Sequence, residues 1–226
     1  MACPRFRPGR ALRVCVDFDG TAAREDVTDA VLERFAAPEW RAIEAAWLSG
    51  EIDAATCMRR QIALVEAPMT ALEAFLERME LDPGFPKFAT WCRDAGIPLA
   101  IASDGVEDFA RRILARHGLG EIPIFANRLV LDAGRYALAQ PWRSPGCPAG
   151  SGVCKCAVVA GGETARSVLA YVGDGRSDQC VAARADLVFA KDGLAEHCRE
   201  RGIAHRTWTR FDDVRAALVD WMQEES

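Results

Sequence analysis

The sequence predicts an α/β protein in which a doubly wound parallel sheet carries an inserted helical unit. Three observations lead to this class. Short apolar segments rich in β-branched residues, as in buried parallel strands, alternate with segments of helical periodicity over most of the chain. Residues 22–84 contain several helical patterns and no convincing strand. The length of 226 residues suits one such domain, or a core with a small insertion.

The N-terminal part of the chain predicts one strand followed by the helical unit. Residues 12–17 are a short apolar run that ends in the turn Asp17-Phe18-Asp19-Gly20-Thr21. The helices are predicted at Val27–Phe35, from Pro38 onward, at residues 52–65, and behind a capping box at residues 70–73. We therefore expect residues 22–84 to form a helical cap, and residues 1–21 and 85–226 to form the core.

After Pro83-Gly84 the pattern changes to alternating helices and strands. The strands are predicted at residues 97–102, 122–126, 128–131, 136–139, 167–172 and 187–190. The helices are predicted at residues 85–95, 107–117, 155–160, 178–185, 194–201 and 211–222. Asp132-Ala133-Gly134 indicates a β-hairpin, and residues 141–152 are rich in Pro, Gly and Ser and predict a loop.

Composition argues against several classes of protein. The net charge is -5 and the basic residues form no stripe, which argues against nucleic acid as a partner. The basic N-terminus lacks the apolar region of a signal peptide, and no segment is long and apolar enough to span a membrane. Nine cysteines are an odd number in a chain too large for the small disulfide-rich class, so we expect reduced thiols and a cytoplasmic protein.

Polar groups follow three of the predicted strands. Asp17, Ser103 and Asp174 each end an apolar segment and precede a glycine-containing turn. Ligands of open parallel sheets bind at the carboxyl ends of the strands, so the three groups indicate one site. Asp17 and Asp19 would repel each other unless a divalent cation lay between them. Acidic residues after strands also serve as helix caps or turn formers, and for Asp104 both interpretations stay open.

The motifs around these residues resemble those of the haloacid dehalogenase superfamily of phosphatases. In order, they are Asp17-Phe18-Asp19-Gly20-Thr21, Ile101-Ala102-Ser103-Asp104-Gly105, Lys155, and Gly173-Asp174-Gly175-Arg176-Ser177-Asp178. Within the superfamily, the chain is most similar to the methionine-salvage phosphatase group, which itself resembles phosphoserine phosphatases. That likeness rests on Asp26, residues 35–40, the Cys- and Pro-rich segment before Lys155, and residues 189–192. The resemblance implies a core of the Rossmann type.

The resemblance also implies a role for each site residue. Asp17 would be the nucleophile that forms an aspartyl-phosphate, and Asp19 the general acid and base. The phosphate-binding residues would be Ser103, Asp104 and Lys155. Mg²⁺ would be bound by Asp17, Asp174 and the backbone carbonyl of Asp19, with Asp178 acting from behind them. Asp26 would lie near the leaving group, although it could equally cap the helix that begins at Val27.

We therefore expect a Mg²⁺-dependent phosphomonoesterase that acts on a small-molecule phosphate ester. The methylthio-bearing keto-enol phosphate of methionine salvage is the first candidate, and phosphoserine or another small ester the second. The apolar cap residues Phe35, Trp40, Trp47 and Met58 could hold a methylthio tail or form the core of the cap. A phosphotransferase or phosphomutase, or a non-catalytic binding module on the same fold, are alternatives of another class.

A Cys-rich segment lies directly before and after Lys155. Cys147, Cys154 and Cys156 could bind zinc, but no tidy second pair of ligands follows them. The alternative is a flap beside Lys155 whose thiols stay reduced. The sequence favours the flap.

Overall fold

The structure, a computed structural model, describes residues 11–161 and 167–224. The strands are β1 Ala11–Val16, β2 Leu99–Val106, β3 Ile124–Asp132, β4 Arg135–Ala139, β5 Ser167–Gly173, β6 Leu187–Ala190 and β7 Arg206–Thr207. The helices are α1 Val27–Phe35, α2 Trp40–Leu48, α3 Ala54–Ile62, α4 Met69–Leu76, α5 Phe85–Asp94, α6 Glu107–Arg116, α7 Lys155–Gly161, α8 Gln179–Ala182, α9 Asp192–Arg201 and α10 Phe211–Glu224. Expectations that concern residues 1–10, 162–166 and 225–226 lie outside the described residues.

The seven strands form one sheet in the order β4-β3-β2-β1-β5-β6-β7. β4 is antiparallel to β3, and the other pairs are parallel. β1 lies in the middle, where Val14 is in register with Leu99 of β2 and with Ala170 of β5. The chain turns to opposite sides of β1, so a ligand site is expected beside its carboxyl end.

Helices cover both faces of the sheet, which confirms the predicted α/β class. Alternate residues of the central strands point to opposite faces. Val14 and Val172 belong to the main core cluster, with residues of α1, α4, α5, α6 and α10. Cys15 and Tyr171 belong to a second cluster on the other face, with residues of α7 and α8. Strands buried on both faces are apolar throughout, which is why their positions were predictable.

The segment between β1 and α5 contains the four helices α1–α4. Its two ends run side by side, because Ala23 bridges to Leu81 and the Asp82 N–H donates to the Ala22 carbonyl at 2.9 Å. A second bridge joins Ala36 to Val65. The segment therefore leaves and rejoins the core at neighbouring positions. In the described part of the chain, no helix combines the length and the apolar character that crossing a membrane requires.

The structure shortens the helix predicted at residues 52–65 to Ala54–Ile62, starts the one predicted at 194–201 at Asp192, and corrects two other predictions further. α4 begins at Met69 with Pro68 as its cap, so Thr70 lies inside the helix and the predicted capping box is wrong. Pro68 has a φ of -64°, which suits the start of a helix. The helix predicted at residues 178–185 is a 3-10 turn over Arg176–Asp178 followed by the short α8. Asp178 accepts hydrogen bonds from the backbone of residues 174 and 175, and this holds the tighter turn.

Two strand predictions also need correction, and one strand was not predicted. β2 continues through Ser103 and Gly105 to Val106, which pairs with Asn127 of β3 after a register shift. β3 is one strand rather than two, since its first half pairs with β2 and its second half with β4. β7 has only two residues, and both are exposed, so it lacks the apolar pattern that identifies a strand in the sequence.

Candidate active site

The polar groups predicted at three strand ends meet at the carboxyl edge of the sheet. Asp17 directly follows β1, and its N–H donates to the Val172 carbonyl at 2.9 Å. Ser103 lies in β2 and Asp174 directly follows β5. All three line one cavity of about 790 Å³. Parallel strands bring these positions together, although they are widely separated along the chain.

Asp17 forms a buried ion pair with Lys155. Lys155 Nζ lies 2.7 Å from Asp17 Oδ1 and 2.6 Å from Asp178 Oδ1, and only 1% of the lysine side chain is exposed. The ammonium also donates to Ser177 Oγ at 2.9 Å. Burial favours the neutral amine, but Asp17 and Asp178 outweigh it and raise the pKa of Lys155. The lysine therefore keeps a positive charge beside Asp17.

Asp178 is fully buried and uses both of its oxygens within the protein. Oδ1 accepts from Lys155 and from the Tyr171 hydroxyl. Oδ2 accepts the backbone N–H groups of Asp174 at 3.0 Å and Gly175 at 3.1 Å. Asp178 thus positions the lysine and the loop that carries Asp174.

Three carboxylates gather where a cation could bind. Among the described residues, Asp17, Asp174 and Asp178 form the one group of three or more potential metal ligands whose ligand atoms all lie within 4.8 Å of one another. Burial is the main cause that raises the pKa of both Asp17 and Asp174, and the charge of Asp178 adds to it. Lys155 supplies one positive charge against three carboxylates. Closely placed oxygen ligands with excess negative charge suit a divalent cation.

Gly20 lets the loop after β1 approach this cluster. Its φ is +68°, and a Cβ at this position would lie 2.7 Å from Asp174 Oδ2. The next residue, Thr21, donates its hydroxyl to Asp174 Oδ1 at 2.5 Å. Glycine and threonine at the end of the first motif therefore hold Asp174 against the nucleophile loop.

Asp19 lies beside Ser103 of β2 and the start of α1. Its Oδ1 accepts the Val27 N–H at 2.9 Å, and its Oδ2 accepts the Ser103 hydroxyl at 3.2 Å. Burial raises the pKa of Asp19 to about 6, although these hydrogen bonds lower it in part. A carboxyl group that titrates near neutral pH can both give and take a proton.

The two remaining predicted residues lie near the cavity but make structural contacts. Asp104 Oδ1 accepts the Val153 N–H at 3.0 Å, so the side chain holds the loop before Lys155. Burial raises the pKa of Asp104 to about 6. Asp26 caps α1, because its Oδ1 accepts the Asp29 N–H at 2.8 Å, and it also lines the cavity.

Comparison with known proteins agrees with this geometry. The sequence model of the haloacid dehalogenase-like hydrolase family matches residues 14–183, which include all of the site described above.

The chain belongs to the haloacid dehalogenase-like hydrolase family.

Named relatives identify this family member as a phosphatase. It is 30% identical over 211 residues to a 2-hydroxy-3-keto-5-methylthiopentenyl-1-phosphate phosphatase of Brevibacillus brevis. The match covers 92% of this chain and 95% of the relative. The chain is 32% identical over 206 residues to the protein of the same name in Geobacillus kaustophilus, with 89% and 93% covered. These matches run over nearly the whole length of both chains, so they include the helical segment as well as the core.

Solved structures share the fold of this haloacid dehalogenase-like phosphatase. A phospho-aspartyl intermediate analogue of phosphoserine phosphatase superposes with a TM-score of 0.64 at 20% identity, over 95% of this chain and 98% of that one. A probable phosphoserine phosphatase of Vibrio cholerae superposes with a TM-score of 0.71 at 19% identity, over 95% and 67% of the two chains. At these identities the likeness concerns the fold alone.

The sequence did not indicate the contacts that three polar residues make in support of the phosphatase site. Tyr171 bonds to Asp178, but it lies within an apolar strand and resembles a core residue. Asn127 holds the backbone of Asp104 and Gly105 from the neighbouring strand. Thr21 belongs to the first motif, but nothing in the sequence showed that its hydroxyl bonds to Asp174.

Apolar residues of the helical segment contact the cavity, the core or both. Trp47 and Met58 line the same cavity as the carboxylates. Phe35 and Trp40 pack against the main core cluster, and so does Met58. Trp47 also contacts Arg176 of the core, whose guanidinium carbon lies 5.0 Å from the ring centroid. Residues of α2 and α3 thus border the cavity, and the same segment also packs on the core.

The cysteines beside Lys155 do not converge as metal ligands. The carboxylate cluster is the one group with ligand spacing in the described residues, and it contains no cysteine. Cys154 and Cys156 are buried and Cys147 is partly buried. All three thiols are free, and the flap stays a prediction.

Proposed function

We propose that this phosphatase hydrolyses a small-molecule phosphate ester through an aspartyl-phosphate on Asp17, and that it requires Mg²⁺. One observation carries the proposal. A buried carboxylate, Asp17, is held by a charged lysine at the end of the central strand and faces a cavity that also contains a carboxyl group with a pKa near neutrality. A carboxylate nucleophile and a separate proton donor are the two groups that this reaction needs.

Each site residue has a defined role in the proposed reaction. Asp17 attacks phosphorus while Asp19 donates a proton to the leaving oxygen. Asp19 then takes a proton from the water that hydrolyses the aspartyl-phosphate. Lys155 and the Ser103 hydroxyl bind the phosphoryl oxygens. Because the Asp104 carboxylate is occupied by the Val153 N–H, its proposed contribution to phosphate binding comes from its backbone N–H.

The residues present fit a magnesium ion. The carboxylates of Asp17 and Asp174 and the backbone carbonyl of Asp19 would hold it, with Asp178 fixing the loop of Asp174 from behind. When bound, Mg²⁺ neutralises the charge that would otherwise keep the phosphate away from Asp17. The oxygens of Asp178 are already bonded to Lys155, Tyr171 and two backbone N–H groups, so we assign it a positioning role.

We further propose that residues 22–84 are a cap that selects the substrate, with residues 1–21 and 85–226 as the core. Four helices between neighbouring entry and exit points support this division. The proposed substrate is 2-hydroxy-3-keto-5-methylthiopentenyl 1-phosphate. Two facts support this substrate. The relatives in Brevibacillus brevis and Geobacillus kaustophilus are named as phosphatases of this ester. Trp47 and Met58 line the cavity and offer apolar contacts to a methylthio group. Asp26 borders the same space and would face the leaving group.

Release of inorganic phosphate from a panel of esters tests the function. With Mg²⁺ present, we expect the methylthio-bearing ester to have the highest kcat/KM, ahead of phosphoserine. Asp17→Asn should lower kcat on the order of 10⁴-fold or more, because the amide keeps the shape but cannot attack phosphorus. Asp220→Asn, an exposed carboxylate on α10, is the matched control and should keep full activity.

Two results would contradict different parts of the proposal. Activity of Asp17→Asn near that of the control would exclude Asp17 as the nucleophile. A clear preference for phosphoserine would leave the phosphoryl chemistry intact and reject the proposed substrate.

A further inference from the structure

One hydroxyl group in the wall of the active-site cavity has no hydrogen-bond partner. Ser151 lies in the loop between β4 and α7, lines the cavity, and is only 4% exposed. No group in residues 11–161 or 167–224 forms a hydrogen bond with its hydroxyl. The fully buried side-chain oxygens without a partner in these ranges are those of Thr28 and Asn127, so the Ser151 oxygen keeps some accessible surface. The proposed reaction gives this hydroxyl no role.

The backbone on both sides of Ser151 is held by hydrogen bonds. The Gly150 carbonyl accepts the Ala55 N–H at 2.9 Å, which ties the loop to the first turn of α3. The Val153 N–H donates to Asp104 Oδ1 at 3.0 Å, which ties the loop to β2. Ser151 is therefore fixed between the helical segment and the carboxyl end of the sheet.

Gly152, the next residue, lets the loop pack closely on the neighbouring strand. A Cβ at this position would lie 2.5 Å from Asn127 Oδ1 and 2.3 Å from Gln140 Nε2. Asn127 in turn donates its amide to the Asp104 carbonyl. The position of Ser151 is thus set by the fold, and a hydrogen bond from a group that is already ordered costs less entropy on binding.

A buried polar group without a partner is rare in folded proteins, because it loses its bonds to water and gains none in exchange. A ligand oxygen can supply the missing bond, since a hydroxyl group both donates and accepts. In the proposed complex the phosphoryl oxygens are bound by Lys155 and Ser103, and the apolar tail contacts Trp47 and Met58. Ser151 is left for the part of the leaving group between these two ends.

We propose that Ser151 determines specificity by forming a hydrogen bond with a carbonyl or hydroxyl oxygen on the leaving group. The preferred substrates are then phosphate esters of oxygen-bearing alcohols rather than of plain hydrocarbon alcohols. This inference rests on the proposed function and narrows its substrate class. The ester named for the relatives belongs to this class, because it carries a hydroxyl group on carbon 2 and a keto group on carbon 3.

The test compares three esters of equal chain length, each with Mg²⁺ and the full chain. Pentyl phosphate has no further oxygen, 2-oxopentyl phosphate has a carbonyl on carbon 2, and 3-hydroxypentyl phosphate has a hydroxyl group on carbon 3. Phosphate release gives kcat/KM for each ester, and thermal unfolding gives Tm without a ligand. The variant is Ser151→Ala. Ser144→Ala, which changes a serine of the same loop that does not line the cavity, is the matched control.

We expect the unmodified chain to favour at least one oxygen-bearing ester over pentyl phosphate by about 10-fold or more in kcat/KM. Ser151→Ala should lose about 10-fold for that ester and stay within about twofold for pentyl phosphate. Its Tm should not fall, because the hydroxyl makes no bond in the free protein. Ser144→Ala should keep the full preference.

Three results would overturn the role of Ser151. They are an unmodified chain that treats the three esters alike, a Ser151→Ala variant that keeps the preference, and an equal loss for all three esters together with a lower Tm. The last result would assign the hydroxyl to the stability of the loop. Failure of the proposed function gives a different pattern, in which no ester releases phosphate with Mg²⁺ present.

Discussion

Asp178→Asn is the substitution that tests most directly how the site is held together. The carboxylate accepts four hydrogen bonds, from Lys155, Tyr171 and the backbone N–H groups of Asp174 and Gly175. The asparagine side chain has nearly the same shape as the carboxylate. One carboxylate oxygen, an acceptor, is replaced by an NH₂ group, which is a donor. In one orientation the amide nitrogen faces the two backbone N–H groups, and in the other it faces the Lys155 ammonium, although the Tyr171 hydroxyl can turn to accept from it.

The magnitude follows from those lost partners. A buried donor left without an acceptor costs about 1–3 kcal/mol, and removal of one partner of a buried ion pair costs about 3–5 kcal/mol. We expect the free energy of unfolding to fall by about 3–5 kcal/mol. For a chain of this size, each 1 kcal/mol lowers Tm by about 2–4 °C, so Tm should fall by about 6–20 °C. The kcat/KM should fall on the order of 100-fold, because Lys155 and the Asp174 loop lose their position.

Urea denaturation, calorimetry and phosphate release measure these effects. Asp186→Asn is the matched control, because Asp186 Oδ2 accepts one backbone hydrogen bond, from Leu169 at 2.8 Å, towards the other end of β5. Its loss should stay below about 1.5 kcal/mol, and its activity should be normal. If Asp178→Asn were no less stable than this control, or fully active, the assigned role of Asp178 would be wrong.

Three further predictions concern the proton donor, the metal and the cap. Since burial raises the pKa of Asp19 to about 6 and the protonated form is the acid, kcat/KM for an alkyl phosphate should fall as pH rises through that value. The profile for p-nitrophenyl phosphate, whose leaving group needs no proton, should be flatter, and identical profiles would exclude this role of Asp19. EDTA should abolish phosphate release and Mg²⁺ should restore it, whereas restoration by Zn²⁺ alone would point to the thiols. Met58→Ala should lower kcat/KM for the methylthio-bearing ester about 10-fold and leave p-nitrophenyl phosphate within about twofold. The control Met69→Ala, on the exposed part of α4, should change neither, and an unchanged substrate ranking in Met58→Ala would reject the proposed role of the cap.

Most strands of the central sheet could be predicted from the sequence for a simple reason. Each central strand is buried on both faces, so it appears as an unbroken apolar segment, and Leu187–Ala190 was predicted with the bounds that the structure has. The polar residues that end these strands were equally visible, because Asp17, Ser103 and Asp174 interrupt apolar segments at turns. Parallel pairing then requires that they share one edge of the sheet.

The sequence by itself determined the α/β class, the helical segment between β1 and α5, the family, and the residues gathered at the strand ends. These features depend on local periodicity and on short motifs. Only the tertiary structure decided which groups touch. It placed the Lys155 ammonium 2.7 Å from Asp17 and 2.6 Å from Asp178, joined Tyr171 to Asp178, and set Asn127 against the backbone of Asp104. Such contacts arise between segments that meet only when the sheet is assembled and its helices pack, and no spacing along the chain encodes them.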